Sequence, residues 1–358
     1  MKVIEVRNVN EAYAKGLRHI CDYGELQDSR AGEVLVAPTP VVIVYERPWE
    51  CVLFDPSRDA NPFFHVFESL WLLSGRNDAR WLDQFVSDFS SRFAEEDGRL
   101  HGSYGFRWRK HFDVEGGGSP NLPDQLETII ELLQKNPRDR RCVLTMWDPV
   151  ADLGANRKDL PCNTHVYFRV RKEQRGNDYG DGGYWPSLLD ITVCCRSNDF
   201  VWGMTGANAV QFSFLQRYIA GRLGIGAGHY YQIANNCHLY TSILGKLETP
   251  LSEVKYPGIE SLGVYWESWD DDLEAFMGWT DFELPGRTTV LYANPWFRDT
   301  ATPMYLAHRE WRTGDRQKAR QILAAVENMS PDWKMACLAW MDRRLARMSK
   351  QEARTANV

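Results

Sequence analysis

CNTHVYFRVR at residues 162–171 and LLDITVCCRS at residues 188–197 are the two runs on which the fold turns. Both read as strands, and residues 172–187 between them form a glycine-rich loop. Upstream, LPDQLETIIELLQK (122–135) has the spacing of an amphipathic helix, NPRDRR follows it, and CVLTMW (142–147) is a third strand. Downstream, residues 207–223 are helical, GHYYQIANNCHLY (228–240) mixes a strand with the start of a helix, and residues 304–348 supply two or three closing helices. Toward the N-terminus, residues 9–24 show helical spacing, a polar loop carries Arg30, and EVLVAPTPVVIVYE (33–46) is extended with a proline break. Asn61 and Pro62 start a helix that ends at Gly75. This irregular alternation predicts an α+β fold, a mixed sheet with flanking helices, organised as one domain over residues 1–358.

The chain has 358 residues, 44% hydrophobic and 25% charged, enough to bury a sizeable core. A net charge of −6 argues against general affinity for nucleic acid and leaves room for a local basic cluster that holds one phosphate. The eight cysteines (Cys21, Cys51, Cys142, Cys162, Cys194, Cys195, Cys237 and Cys337) include no C-x-x-C pair, so reduced thiols in cytoplasm are expected, and no metal. No apolar run reaches the roughly eighteen residues of a membrane span.

Cys162 follows Pro161 at the mouth of a strand, where a thiol can face a cleft. A lone cysteine is more often a small buried hydrophobe than a nucleophile. Arg30, Arg140, Arg141 and Arg196 lie in loops or at strand ends, and such cations lower a thiol pKa and grip a dianion. Glu68 sits inside the nearly all-apolar run PFFHVFESLWLLSG, where an ionised carboxylate is costly unless paired or wet.

Eight ordered motifs give the sequence a family resemblance: DSRAG (28–32), ESLWLLSG (68–75), YGFRWR (104–109), DRRCVLTMWDP (139–149), LPCN (160–163), CRSND (195–199), GANAVQFSFLQ (206–216) and NCHLY (236–240). Together they resemble the thymidylate synthases and related pyrimidine nucleotide hydroxymethylases over roughly residues 28–245. The resemblance implies a homodimer with sheets packed across its interface, a pyrimidine nucleoside monophosphate as substrate, and 5,10-methylenetetrahydrofolate as the one-carbon donor. It makes Cys162 the nucleophile that adds to C6 of the base, Glu68 the carboxyl that manages water and protons, and Tyr104 a tyrosine near C5. Arg30, Arg140, Arg141, Arg196 and Ser197 become phosphate ligands, Arg140 and Arg141 reaching across the dimer. Asn208 takes the base edge, His238 and Tyr240 the sugar hydroxyl, and Asp199 the pterin.

The sequence also departs from the family's pattern. Asn163 replaces a common histidine after the nucleophile, and one extra residue separates Gly203 from Asn208. In FSSRFAEEDG (89–98), Ser90 stands where a tryptophan normally walls the folate side, with Trp81 and Phe93 as possible substitutes. The polar end QEARTANV does not resemble an apolar sealing tail, and residues from about 300 to 358 are a divergent helical extension. A wetter site predicts a deoxynucleotide hydroxymethylase, in which water captures the exocyclic methylene; thymidylate synthase is the alternative. A carboxamide at Asn208 matches uracil, so dUMP is expected ahead of dCMP. A non-catalytic nucleotide- or RNA-binding relative would have no use for Cys162 and Glu68, and no metal-hydrolase motif is present.

Overall fold

The computed structural model describes residues 1–112, 124–172, 185–247, 254–258, 268–281 and 290–355. Most of the glycine-rich loop, the start of the 122–135 segment and the last three residues lie outside them. The strands, in chain order, are β1 (Lys2–Val6), β2 (Glu25–Ser29), β3 (Gly32–Val36), β4 (Val41–Tyr45), β5 (Val143–Thr145), β6 (Asn163–Lys172), β7 (Ser187–Asp199) and β8 (Gly226–Tyr240). They form one mixed sheet of order β1-β4-β8-β7-β6-β5. β7 runs parallel to β8, and β1 parallel to β4, while the remaining pairs are antiparallel. The β2-β3 hairpin joins through β3, which pairs with the end of β8 at Val36↔His238.

Helices α1 (Val9–Tyr23), α2 (Pro62–Leu73), α3 (Phe89–Phe93), α4 (Tyr104–Arg109), α5 (Gln125–Lys135), α6 (Pro149–Asp152), α7 (Asn208–Arg222), α8 (Thr241–Leu244), α9 (Trp269–Asp281), α10 (Thr302–Thr313), α11 (Arg316–Ala325) and α12 (Pro331–Thr355) surround it. α7 lies over the sheet's core face and is buried nearly all round. Its buried Gln216 donates to the carbonyl oxygen of Leu189 at 2.7 Å, giving that amide a strand partner. α2 starts as its sequence dictates: Asn61 accepts from the Phe64 N–H, and Pro62 needs no partner for a missing donor. It stops at Gly75, whose φ of 71° is the left-handed conformation that favours glycine.

Along β8, residues Gly226, Gly228, Tyr230, Gln232 and Ala234 point into the core and the intervening ones do not. The phase then flips, so that Cys237 and Leu239 are buried while Asn236, His238 and Tyr240 face outward. β7 makes the same flip, with Cys195 and then Asn198 buried. The ladder pairs Cys195 with Ala234 and Ser197 with Asn236, passing over Arg196 and Asn235. These paired irregularities turn one end of the sheet toward the site.

One sequence expectation changes: His238 lies within a strand and not at a helix start. The loop that carries Arg30 is the turn of a hairpin, and Lys2–Val6 forms an edge strand. The closing helices number three. Trp340 of α12 packs edge-on against Phe63 of α2 at 5.3 Å, and Arg343, Arg344 and Arg347 converge on Asp59 at 2.8, 3.0 and 2.8 Å.

Candidate active site

The loop Asp159–Leu160–Pro161–Cys162 leads into β6 and is held by Arg196 of β7. The Arg196 backbone N–H donates to the Cys162 carbonyl at 2.9 Å, and its Nε donates to the Pro161 carbonyl at 2.9 Å. Its Nη2 then lies 3.9 Å from the Cys162 sulfur. Burial pushes the Cys162 thiol above its ordinary value, Arg196 and Arg30 pull it down, and Asp159 pushes it further up. The two cations therefore work against the desolvation that disfavours the thiolate.

Asn163, beside the nucleophile, is fully buried and accepts the Cys195 thiol hydrogen on its Oδ1. Its side-chain NH₂ has no partner among the described residues. Its backbone N–H points to the Tyr104 hydroxyl at 3.4 Å. Tyr104 opens α4, and α4 presses on α2 through Gly105: a Cβ there would come within 2.0 Å of the Leu72 carbonyl oxygen. One contact thus ties the helix that bears Glu68 to the loop that bears Cys162.

Glu68 accepts from Gln211 of α7 at 2.7 Å. Burial raises its pKa to about 8; the Gln211 hydrogen bond opposes the shift and Asp159 adds to it. Near neutral pH the group is mostly a carboxylic acid, able to donate a proton. Asn208, also on α7, is buried and its NH₂ has no partner among the described residues, nor has the Oε1 of Gln211. Such leftover polar atoms are what a nucleobase edge would satisfy. The extra residue before Asn208 is absorbed by a π-helical turn over Phe200–Ala207, with an irregular Gly206 at φ −114° and ψ −117°. A Cβ on Gly203 would lie 3.3 Å from Asn208 Oδ1 and 2.1 Å from Asn198 Oδ1, so the two carboxamides crowd the turn.

At the flipped end of the sheet, Ser197 Oγ is 3.5 Å from His238 Nδ1, which is 3.1 Å from Asn236 Oδ1. Tyr240 meets the His238 ring edge-on at 5.6 Å. Burial lowers the His238 pKa, so the ring is neutral at pH 7 and suited to hydrogen bonding a hydroxyl. Asp199 accepts from the Trp202 N–H on Oδ1, while its buried Oδ2 has no partner among the described residues. Burial raises its pKa to about 6, against the pull of backbone donors and Arg58. Arg58 was not anticipated: it lies over the Trp202 ring at 4.0 Å and donates to the Val201 carbonyl. Its basic charge gives no periodic signal in the sequence.

Of the predicted set, Arg196, Arg30 and Tyr104 act on Cys162, Glu68 is bonded to the helix of Asn208, and Ser197, Asp199, His238 and Tyr240 share the flipped end of the sheet; three others stand apart. Exposed Arg140 and Arg141 precede β5, at the sheet edge opposite β1, and Arg141 is engaged by Asp139 at 2.6 Å. Ser90 donates its hydroxyl to Asp83 at 2.5 Å, near a cluster in which Phe89 packs against Phe64 and Phe93. Trp81 packs at a tilt against Phe85 at 5.2 Å. All eight cysteines are unbridged. No group of three metal-ligating side chains occurs among the described residues, and no described helix is long and apolar enough to cross a membrane.

A sequence model of thymidylate synthase matches residues 11–286. The chain belongs to the thymidylate synthase family. It is therefore a one-carbon transferase acting on pyrimidine nucleotides, in a family that uses reduced folate. The chain is also 38% identical to the deoxyuridylate hydroxymethyltransferase of Pseudomonas phage M6, over 99% of this chain and 97% of that protein. It is 33% identical to the deoxyuridylate hydroxymethyltransferase of Bacillus phage SP01, over 58% of this chain and 50% of that protein. The three closing helices lie beyond the residues that the family model matches.

Proposed function

We propose that this thymidylate synthase family member hydroxymethylates C5 of dUMP, using 5,10-methylenetetrahydrofolate and water. The observation that carries the reading is the near full-length similarity to a deoxyuridylate hydroxymethyltransferase, joined to a cysteine loop held by Arg196 and to Glu68, a buried carboxyl whose pKa is raised. Arg30, Arg196 and Ser197 hold the phosphate, with Arg140 and Arg141 supplied by the partner of a homodimer. Support for the dimer comes from the sheet's outer face, where Tyr167 is 45% exposed and Arg140 and Arg141 sit at a free edge. His238 and Tyr240 hold the sugar, and Asn208 donates to O4 and accepts from N3–H of uracil.

Cys162 adds as thiolate to C6 and makes C5 nucleophilic. When bound, the folate supplies an electrophilic one-carbon unit to C5. The unpartnered, buried Asp199 Oδ2 fits a pterin N–H, and Tyr104 and Glu68 order water and protons over the base. The whole chain, 1–358, acts as one catalytic unit in the cytoplasm, with its last helices as a brace.

Thymidylate synthase activity is the second reading, favoured by the Phe64, Phe89 and Phe93 rings beside Ser90, which supply aromatic surface on that side. Product analysis separates them. With methylenetetrahydrofolate, dUMP is expected to give hydroxymethyl-dUMP and tetrahydrofolate, and dCMP to give hydroxymethyl-dCMP more slowly. A methylated base with stoichiometric dihydrofolate establishes the synthase; a kcat/KM at least about tenfold higher for dCMP overturns the choice of base.

A further inference from the structure

The hydroxymethylation just proposed needs a base for the attacking water, and Cys162 and the protonated Glu68 are both engaged otherwise. A second carboxyl, Asp159, stands three residues before the nucleophile. Its Oδ2 accepts the Gly102 N–H at 3.0 Å, its only described hydrogen bond. Gly102 is forced to be glycine by the same contact: a Cβ there would lie 2.8 Å from the Pro161 nitrogen and 3.1 Å from the Asp159 carbonyl oxygen. The segment leading to Tyr104 is thereby clamped against the nucleophile loop. Lys158 extends the clamp, donating from Nζ to the Ala94 carbonyl at 2.8 Å and from its backbone to Glu95 at 3.1 Å.

Fixed in this way, Asp159 faces several titratable groups. It acts on Glu68 of α2, on Tyr104 of α4 and on Cys162, and it feels His101, Arg107 and Glu95 from its other side. His101, Glu95 and Arg157 line a cleft of about 630 Å³. His101 and Glu95, two of the charges that act on Asp159, thus border an open, polar cleft.

We infer that Asp159 is the general base of the hydroxymethylation step, resting on the function proposed above. Water oxygen bonds to the exocyclic carbon of the nucleotide while one water proton passes to the Asp159 carboxylate. The carbon–carbon π electrons move to C5 and the C4 carbonyl. The electron pair then returns to form C5=C6, the Cys162 sulfur–C6 bond breaks, and the thiolate leaves. Protonated Asp159 gives its proton to that thiolate, restoring both groups. Burial raises Asp159 above the ordinary carboxylate range, while the Gly102 N–H, His101 and Arg107 oppose that shift.

The test uses the full-length enzyme, dUMP tritiated at C5, and methylenetetrahydrofolate. Asp159→Asn keeps an acceptor for Gly102, and Asp159→Glu keeps a carboxylate. In a single turnover, D159N is expected to release tritium within about threefold of wild type while hydroxymethyl product falls about a hundredfold. D159E restores at least a tenth of the product rate, and the acidic limb of the pH profile for product formation vanishes in D159N. Unchanged product formation in D159N, or equal losses of tritium release and product, overturns the assignment. Wild-type enzyme that yields no hydroxymethyl product removes the underlying function, a result seen before any variant is made.

Discussion

At Cys162 a desolvated sulfur meets one guanidinium at 3.9 Å and a second, Arg30, acting through space. Binding of a nucleotide phosphate needs the cations alone, whereas bond formation at C6 needs the sulfur. Cys162→Ser should therefore lower turnover by at least about 10³-fold and leave the dUMP dissociation constant within about threefold, measured by steady-state kinetics and calorimetry. Glu68 supports a prediction of another kind. Its folded-state pKa of about 8 lies above the ordinary 4.5, so between those values the folded protein holds a proton that the unfolded chain has lost. Stability from this group is fully present below pH 4.5 and is lost as pH rises toward 8. Glu68→Gln should flatten the decline in unfolding free energy from pH 5 to 8; an unchanged slope contradicts the buried acid. The sequence announced both residues, one by its motif and one as a charge in an apolar helix. Asp159 was invisible because its importance comes from Gly102 and Glu68, remote in the chain.

Among the elements, α2 and α4 show how closely packing sets geometry. Gly105→Ala places a methyl group at 2.0 Å from the Leu72 carbonyl oxygen, against backbone that cannot swing aside. It should cost about 1–3 kcal/mol in denaturant unfolding and reduce turnover, since Tyr104 moves with α4. A wild-type midpoint and rate would show that the helices are loosely joined. Most elements were legible because periodicity reports a buried face, as in α1 and α5. β8 was not: its inward residues change from even to odd numbers at Asn235–Asn236, and a reader who expects a fixed period of two ends the strand there and begins a helix. The π-helical turn before Asn208 had a sequence signal, one surplus residue, but only the folded chain shows how a kink at Gly206 absorbs it.

At the scale of the whole molecule, Arg140 and Arg141 precede the edge strand β5 while Arg196 lies on β7 and Arg30 in the β2-β3 turn, and in the proposed dimer each chain supplies half of the phosphate grip. Mixed dimers of Cys162→Ser with Arg140→Ala should recover about a quarter of wild-type activity, given random assortment with one intact site in half of the dimers. No recovery after proven subunit exchange refutes the shared site. Sequence motifs carried the family, but the fastening of the last helices is a matter of long-range charge that no local pattern records. Asp59, two residues before the Asn61 cap of α2, gathers three arginines of α12. The final helix is accordingly a keystone for the first turn of the catalytic one: amide protons of α2 and α12 should exchange with deuterium as a single cooperative block. In Asp59→Asn that block should open more readily, and a protease should cut ahead of Asn61 even though every residue that touches the nucleotide is intact.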